Sequence, residues 1–411
     1  MSVATPLFFA CTESETGGVD PDAGVDGGVE AEAGLGGCLE ITEDVRADTV
    51  WEKRMTDPDA ADAPDVCVRG TITVQGVHLT IAAGVRVEFG PAASLRVSSA
   101  EGSALTAEGT AEKRITLYGS SAEPGWWDGL EIESADPRNK LAHILIRDAG
   151  GGRSVTADDT LGRQQAAIVL DAEPGRPAEA SLRDITFEDN AGWGLIVEGI
   201  SDASALANLG FVRNADGAAI LSQRNVHKID NFTFEGNGFD GVAITSIVNL
   251  ELPSAVTWKA LGGGAKYWVR ESLTFLTSLT IEPGAKFQLA AGTALSFPQN
   301  ASNTRAEVVI VGTAENKISF EGEQAVAGHW EGIEVTTGHA ANKIHHAEIG
   351  HAVKGIRLRK AGAFPGAVLD VANTRIHDSS ACGIENTSTT DNTLTTTNVT
   401  FENNAADNCT P

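Results

Sequence analysis

The chain is expected to be all-β and to wind into a single right-handed parallel β-helix, a solenoid of roughly 14 coils with a short N-terminal cap. Three observations lead there. A Phe-x-x-Asn frame returns every 23 or 24 residues, at Phe187, Phe211 and Phe234 and again at Asn190, Asn214 and Asn237. A longer unit of about 200 residues occurs twice. The 411 residues include 45 Gly but only 6% aromatics, which favours turn-dense β structure over helical packing.

The short repeat defines one rung. A period near 24 with β-type alternation fits three short strands per coil, each stacked on a parallel neighbour. Phe at one fixed phase then stacks inside as a ladder. Asn at another phase carries both donors and an acceptor, so successive side chains hydrogen-bond along the axis at a turn. The Gly that follows is expected to supply a positive φ there. An α/β solenoid would need helical segments, and the inter-strand stretches are too short and too rich in Gly, Asn and Asp.

The long repeat is a duplication. Leu79-Thr80-Ile81-Ala82-Ala83-Gly84 returns as Leu279-Thr280-Ile281-Glu282-Pro283-Gly284, and Gly109-Thr110-Ala111-Glu112-Lys113 as Gly312-Thr313-Ala314-Glu315-Asn316. Gly125-Trp126-Trp127-Asp128-Gly129-Leu130 returns as Gly328-His329-Trp330-Glu331-Gly332-Ile333. The copies span about 48–245 and 253–405, inside a solenoid covering 67–411. Residues 38–66 are read as a cap over the first coil, because an open sheet edge invites aggregation.

Ahead of the cap, residues 12–37 hold eight Gly and seven acids with no Lys or Arg, the composition of a disordered tether. The short apolar run ending Leu7-Phe8-Phe9-Ala10-Cys11 resembles the lipobox of bacterial lipoproteins, with residues 1–11 as a signal remnant and Cys11 as the lipidated residue. Cys38, Cys67, Cys382 and Cys409 form an even set suited to an oxidising compartment; of three possible pairings, Cys38–Cys67 and Cys382–Cys409 bracket the two ends of the solenoid. The formal charge of −26 repels phosphates and anionic membrane surfaces, so neither nucleic acid nor direct membrane contact is expected. The membrane is reached only through the lipid anchor. Neutral glycans, an envelope protein or divalent cations stay open as partners, and the chain is expected to be a monomer.

The order Trp51, then Val68-Arg69-Gly70-Thr71-Ile72-Thr73-Val74, then the blocks around Leu79, Gly109 and Gly125 resembles bacterial parallel β-helix surface proteins of the pectate-lyase-like superfamily, over roughly residues 48–405. The resemblance implies a fold more than a function, since such proteins range from lyases and glycosidases to non-catalytic adhesins. It implies that a lyase would hold Ca²⁺ between acids of adjacent coils, with Arg or Lys as base. Of the hydrolase motifs only Asp158-Asp159 and Arg375-Ile376-His377 find an echo, so no catalytic residue is carried over.

Other candidates come from the residues themselves. His345, His346 and His351, near Glu334, lie in a stretch holding five of the nine His and form a candidate Zn²⁺ or Cu²⁺ set. Trp126, Trp193, Tyr267 and Trp268 are the aromatics least tied to the inner face, and are candidates for stacking on sugar rings. Glu131 and Glu133 should face outward, with His143 and Arg147 on the next coil as a small groove. The turn acids Asp189, Asp216 and Asp240 are candidate Ca²⁺ ligands, although no cofactor is required. The leading expectation is a non-enzymatic surface protein for adhesion, glycan binding or envelope structure. The alternative is a polysaccharide lyase or hydrolase, which three or more convergent acids beside a Lys or Arg on stacked coils would favour.

Overall fold

The computed structural model describes residues 37–55, 62–152, 155–156, 163–171, 176–246, 255–299 and 306–410. Cys11, residues 12–36 of the expected tether, and Asp158-Asp159 lie outside them. Among the described residues there is no α-helix, only two 3₁₀ turns at Val226–Lys228 and Gly262–Gly264, and no helix long and apolar enough to cross a membrane. The strands form four large parallel sheets, two of 13 strands and two of six, plus one antiparallel pair at Val155–Thr156 and Arg163–Gln164.

One 13-stranded sheet runs the length of the stack, from Thr71–Val74 to Thr400–Glu402, with one strand per turn. A parallel bridge from Val45 to Val74 begins a further turn. The second 13-stranded sheet covers the first half. Its strands occupy two successive positions per turn, joined into one sheet because Lys140–Arg147 pairs with Ala104–Glu108 through its first half and with Ile115–Gly119 through its second. In the second half two six-stranded sheets take these places. Residues 38–66, read as a cap, carry strands that join the stack in parallel register: Leu39 lies opposite Val66 and Thr49 opposite Leu79.

The duplicated halves are offset by one face. Arg86–Phe89 belongs to the sheet that covers only the first half, yet its counterpart Lys286–Leu289 belongs to the full-length sheet. Ser94–Val97 belongs to the full-length sheet, yet its counterpart Ala294–Phe297 belongs to a six-stranded one. The switch occurs where Gly241–Thr245 pairs with Lys266–Val269.

Alternate residues of nearly every strand feed one continuous core. Phe187 and Phe211 stack at 5.0 Å and Phe211 and Phe234 at 5.9 Å, with a second ladder of Tyr267, Phe287 and Phe320 at 5.1 and 4.8 Å. Such parallel offsets suit the quadrupoles of adjacent rings. The Asn ladder also forms: Asn190 Nδ2 donates to Asn214 Oδ1 at 2.7 Å, and Asn214 Nδ2 to Asn237 Oδ1 at 2.8 Å. The positive φ, however, sits one residue before each Asn, at Asp189, Arg213 and Gly236. The Gly that follows serves close approach instead. A Cβ on Gly194 would lie 2.6 Å from the Phe211 ring, and one on Gly217 2.4 Å from Trp193.

Trp127 and Trp330 are equivalent buried corner residues. Their Nε1 atoms donate at 2.8 Å to the carbonyls of Arg147 and Gly350. Disulfides join Cys38 to Cys67 and Cys382 to Cys409, with Cα–Cα distances of 5.7 and 6.0 Å, and indicate folding in an oxidising compartment.

Candidate functional site

The full-length sheet presents one unbroken outward row. Read rung by rung it runs Arg96, Glu131, Val169, Ile196, Ile220, Ala243, Trp268, Gln288, Glu321, Gly350 and His377. Alternation places them outside, because Leu95, Leu130, Ile168, Leu195, Tyr267, Phe320 and Ile376 on the same strands fill the core. The row has an acidic end, an apolar middle and a His–Glu end.

At the acidic end, the residue just past each of three consecutive strands is also a carboxylate: Glu133 after Gly129–Ile132, Asp171 after Ala166–Leu170 and Glu198 after Trp193–Val197. Glu131, Glu133 and Asp171 bring one oxygen each within 4.8 Å of one another. Arg96 lies against them, 3.4 Å from Glu131 and hydrogen-bonded to Glu133. Burial opposes its charge, yet Glu133, Glu131 and Asp171 hold its pKa above the usual arginine value. The space between Arg96, Glu131 and Val169 is a small cavity of about 10 Å³, about the size that a single water needs.

Glu198 is pushed up to about 8, first by burial and then by its hydrogen bond to Asp171 and the charges of Asp171 and Glu131. The folded chain therefore keeps a proton that the unfolded chain releases near the ordinary glutamate value, so stability falls as pH rises through that window toward 8. Wild-type protein is expected to lose stability between pH 6 and pH 9. Glu198→Gln should flatten that slope and be more stable than wild type at pH 9 by on the order of 1–2 kcal/mol, solvent screening included. Urea midpoints at the two pH values check this, and parallel curves would refute it.

The apolar middle is a second cluster, separate from the core, of Ala166, Val169, Trp193, Ile196, Ile220 and Ala243, all buried, with half-buried Phe239 and Trp268 packed against it as the part open to solvent. Phe239 and Trp268 meet at 5.1 Å, and the Arg270 guanidinium lies 4.5 Å from the Trp268 ring centre. Of the four expected aromatic contacts, Trp193 and Trp268 thus share this face. Trp193 is buried and its Nε1 donates to Gln164. Tyr267 instead points inward, fully buried, with its hydroxyl donating to the Lys259 carbonyl. Trp126 stands at a corner, half-buried, bonded to Ser120.

The structure does not bring His345, His346, His351 and Glu334 together. His345 pairs with Asp370 at 2.8 Å on a six-stranded sheet, and Glu334 binds Arg357 and Arg359 on the other. His346 and His351 are corner residues with φ of 48° and 65°, taking the places of His143 and Asp148 in the first half. His351 alone approaches the outward row, where it meets Glu321 and His377. Both partners lay outside the His-rich stretch, and their signal was a register across turns that no local spacing displays.

His143 and Arg147 lie on a different sheet from Glu131 and Glu133, and serve Asp184 and the Tyr118 ring. Asp189 is held by Arg213, and Asp240 accepts from the Gly236 and Asn237 backbone. Neither forms part of a metal-competent group among the described residues. No family model and no curated protein sequence matches the chain.

Proposed function

We propose that the chain is a single right-handed parallel β-helix, exported and displayed at a bacterial surface through lipidated Cys11, that binds a neutral extracellular polysaccharide along the outward row of its full-length sheet. The observation that carries this is the half-buried aromatic pair Phe239 and Trp268, with Arg270 against the Trp268 ring, at the edge of a buried apolar cluster. Aromatic faces stack on the C–H faces of sugars, and flanking carboxylates accept hydrogen bonds from hydroxyls. The net charge of −26 works against polyanionic chains and not against neutral ones.

A second reading, a cation-dependent polysaccharide lyase, is favoured by Glu131, Glu133 and Asp171 converging beside Arg96. Oxygen ligands of this kind suit Ca²⁺. Against catalysis, Arg96 is committed to two carboxylates and so is not free to act as the base. On this reading Ca²⁺ would brace the acidic end.

The test is a panel of purified polysaccharides, scored for binding and for release of unsaturated or reducing ends. Binding without product is expected, and Trp268→Ala should weaken it about tenfold or more, roughly the 1.4 kcal/mol of one stacking contact. Product release would overturn the reading in favour of the enzyme. Display is tested separately by detergent partitioning, which Cys11→Ala should abolish; equal partitioning of both forms would remove the anchor.

A further inference from the structure

The His–Glu end of the row has the features of a metal site. Glu321, Gly350 and His377 occupy the same outward register on three consecutive strands, so Glu321 and His377 start about 10 Å apart. Gly350 lets them meet. A Cβ there would fall 2.3 Å from Glu321 Oε2 and 2.3 Å from His377 Cε1, in the space the two side chains share. His377 Nε2 stands 3.2 Å from Glu321 Oε1. His351, turned by its φ of 65°, brings Nδ1 to 2.9 Å from Glu321 Oε2. One ligand atom from each of the three lies within 4.8 Å of the others.

The contacts between these groups are incompletely satisfied as hydrogen bonds. Glu321 Oε2 and His351 Nδ1 are both buried, and although 2.9 Å apart they lack hydrogen-bond alignment. His377, only 6% exposed, has its Nδ1 2.8 Å from Asp378 Oδ2. His377 Nε2 also meets Glu321 Oε1 in hydrogen-bond geometry, so the ring has a carboxylate at each nitrogen, and it is either held as an imidazolium or turns an Nε2 lone pair toward a cation shared with Glu321. Arg375 does not supply it, being bound to Glu348 and Glu402. His329, whose Cβ flanks the same Gly322 as that of His351, has a buried Nε2 without a hydrogen-bond partner.

We propose that His351, His377 and Glu321 bind a Zn²⁺ ion, with Asp378 as the outer carboxylate that orients His377. Two imidazoles and one carboxylate are a ligand set zinc accepts in tetrahedral geometry, with a fourth position left for water. A carboxylate on the far nitrogen of a ligating histidine fixes its tautomer and raises its basicity. The assignment is independent of glycan binding, and an imidazolium at His377 is the competing way to neutralise the cluster.

Titration of the purified, chelator-treated full chain with ZnCl₂ by calorimetry decides between them. One tightly bound Zn²⁺ per chain is expected, and Co²⁺ should give the visible absorption of a tetrahedral nitrogen and oxygen site. Glu321→Gln and His351→Gln should each weaken binding by at least about tenfold, and Asp378→Asn by about 10- to 100-fold. His345→Gln, on another sheet, should leave it unchanged, and circular dichroism confirms that each variant is folded. Wild-type protein that binds no stoichiometric Zn²⁺ would overturn the proposal in favour of the proton, as would a His345→Gln loss equal to that of His351→Gln.

Discussion

Replacing Phe211 with alanine is expected to cost about 4 kcal/mol, the largest effect of any single truncation in the central ladder. The ring is fully buried between Phe187 and Phe234, with Phe232 tilted against it at 5.5 Å. Its neighbours belong to strands held in parallel register one turn above and below, so they cannot close over the hole. A cavity that cannot collapse adds its own penalty to the lost burial. Phe234, half-buried on the same ladder, should cost clearly less when truncated. Urea unfolding measures the difference, with hydrogen exchange to register melting confined to these turns, since stacked repeats need not unfold as one unit. A Phe211→Ala loss below about 1 kcal/mol would show that the ladder is not what holds the turns together.

Asn214→Ala should cost about 3 kcal/mol although it removes little apolar surface. The side chain is buried, accepts from Asn190 Nδ2, and donates to Asn237 Oδ1 and at 3.2 Å to the Phe187 carbonyl. Truncation leaves buried groups on both neighbouring turns short of partners, and each such group costs about 1–3 kcal/mol. Asn214→Asp is the sharper test. It fills the same space and still accepts from Asn190, but it turns a donor into an anion facing two oxygens. It should therefore be at least as damaging as alanine at neutral pH and recover as the carboxyl protonates in acid. An aspartate tolerated at neutral pH would mean that the ladder acts through shape alone.

Much of this framework was legible because solenoid physics writes itself at a fixed period. Phe187, Phe211 and Phe234 share a phase since only one phase faces inward, and Asn190, Asn214 and Asn237 share another since one corner hides the backbone from water. The cysteine pairing was legible from position alone, each pair bracketing one end of the repeats, and both disulfides form. The positive φ falls just before each Asn and not at the Gly after it, because Asp189 and Arg213 adopt it where glycine is expected. Asp tolerates that conformation well and Arg213 adopts it too, so composition alone does not locate it.

The outward face was much less legible. His345, His346 and His351 are neighbours in sequence, and the alternation and corners of the chain send them to different surfaces. Glu321 and His377 are 56 residues apart and meet because two turns and a glycine separate them in space. Ligand spacing in a stacked fold is counted in turns, so the relevant pattern appears only when strands are aligned rung against rung. Glu198 was missed for the same reason. Nothing local marks it, and its proton is held by burial and by Asp171 on the preceding turn.

The one-face offset between the duplicated halves bears on valency. Had the second copy continued the first in phase, every surface feature would have been repeated at the same azimuth, giving a polymer two equal grips on one side. The offset instead assigns corresponding strands to different sheets, so that equivalent residues look out in different directions. The long face is consequently a composite, written by one set of strands in the first half and by a non-equivalent set in the second. The duplication lengthened the molecule without repeating any one surface at the same azimuth.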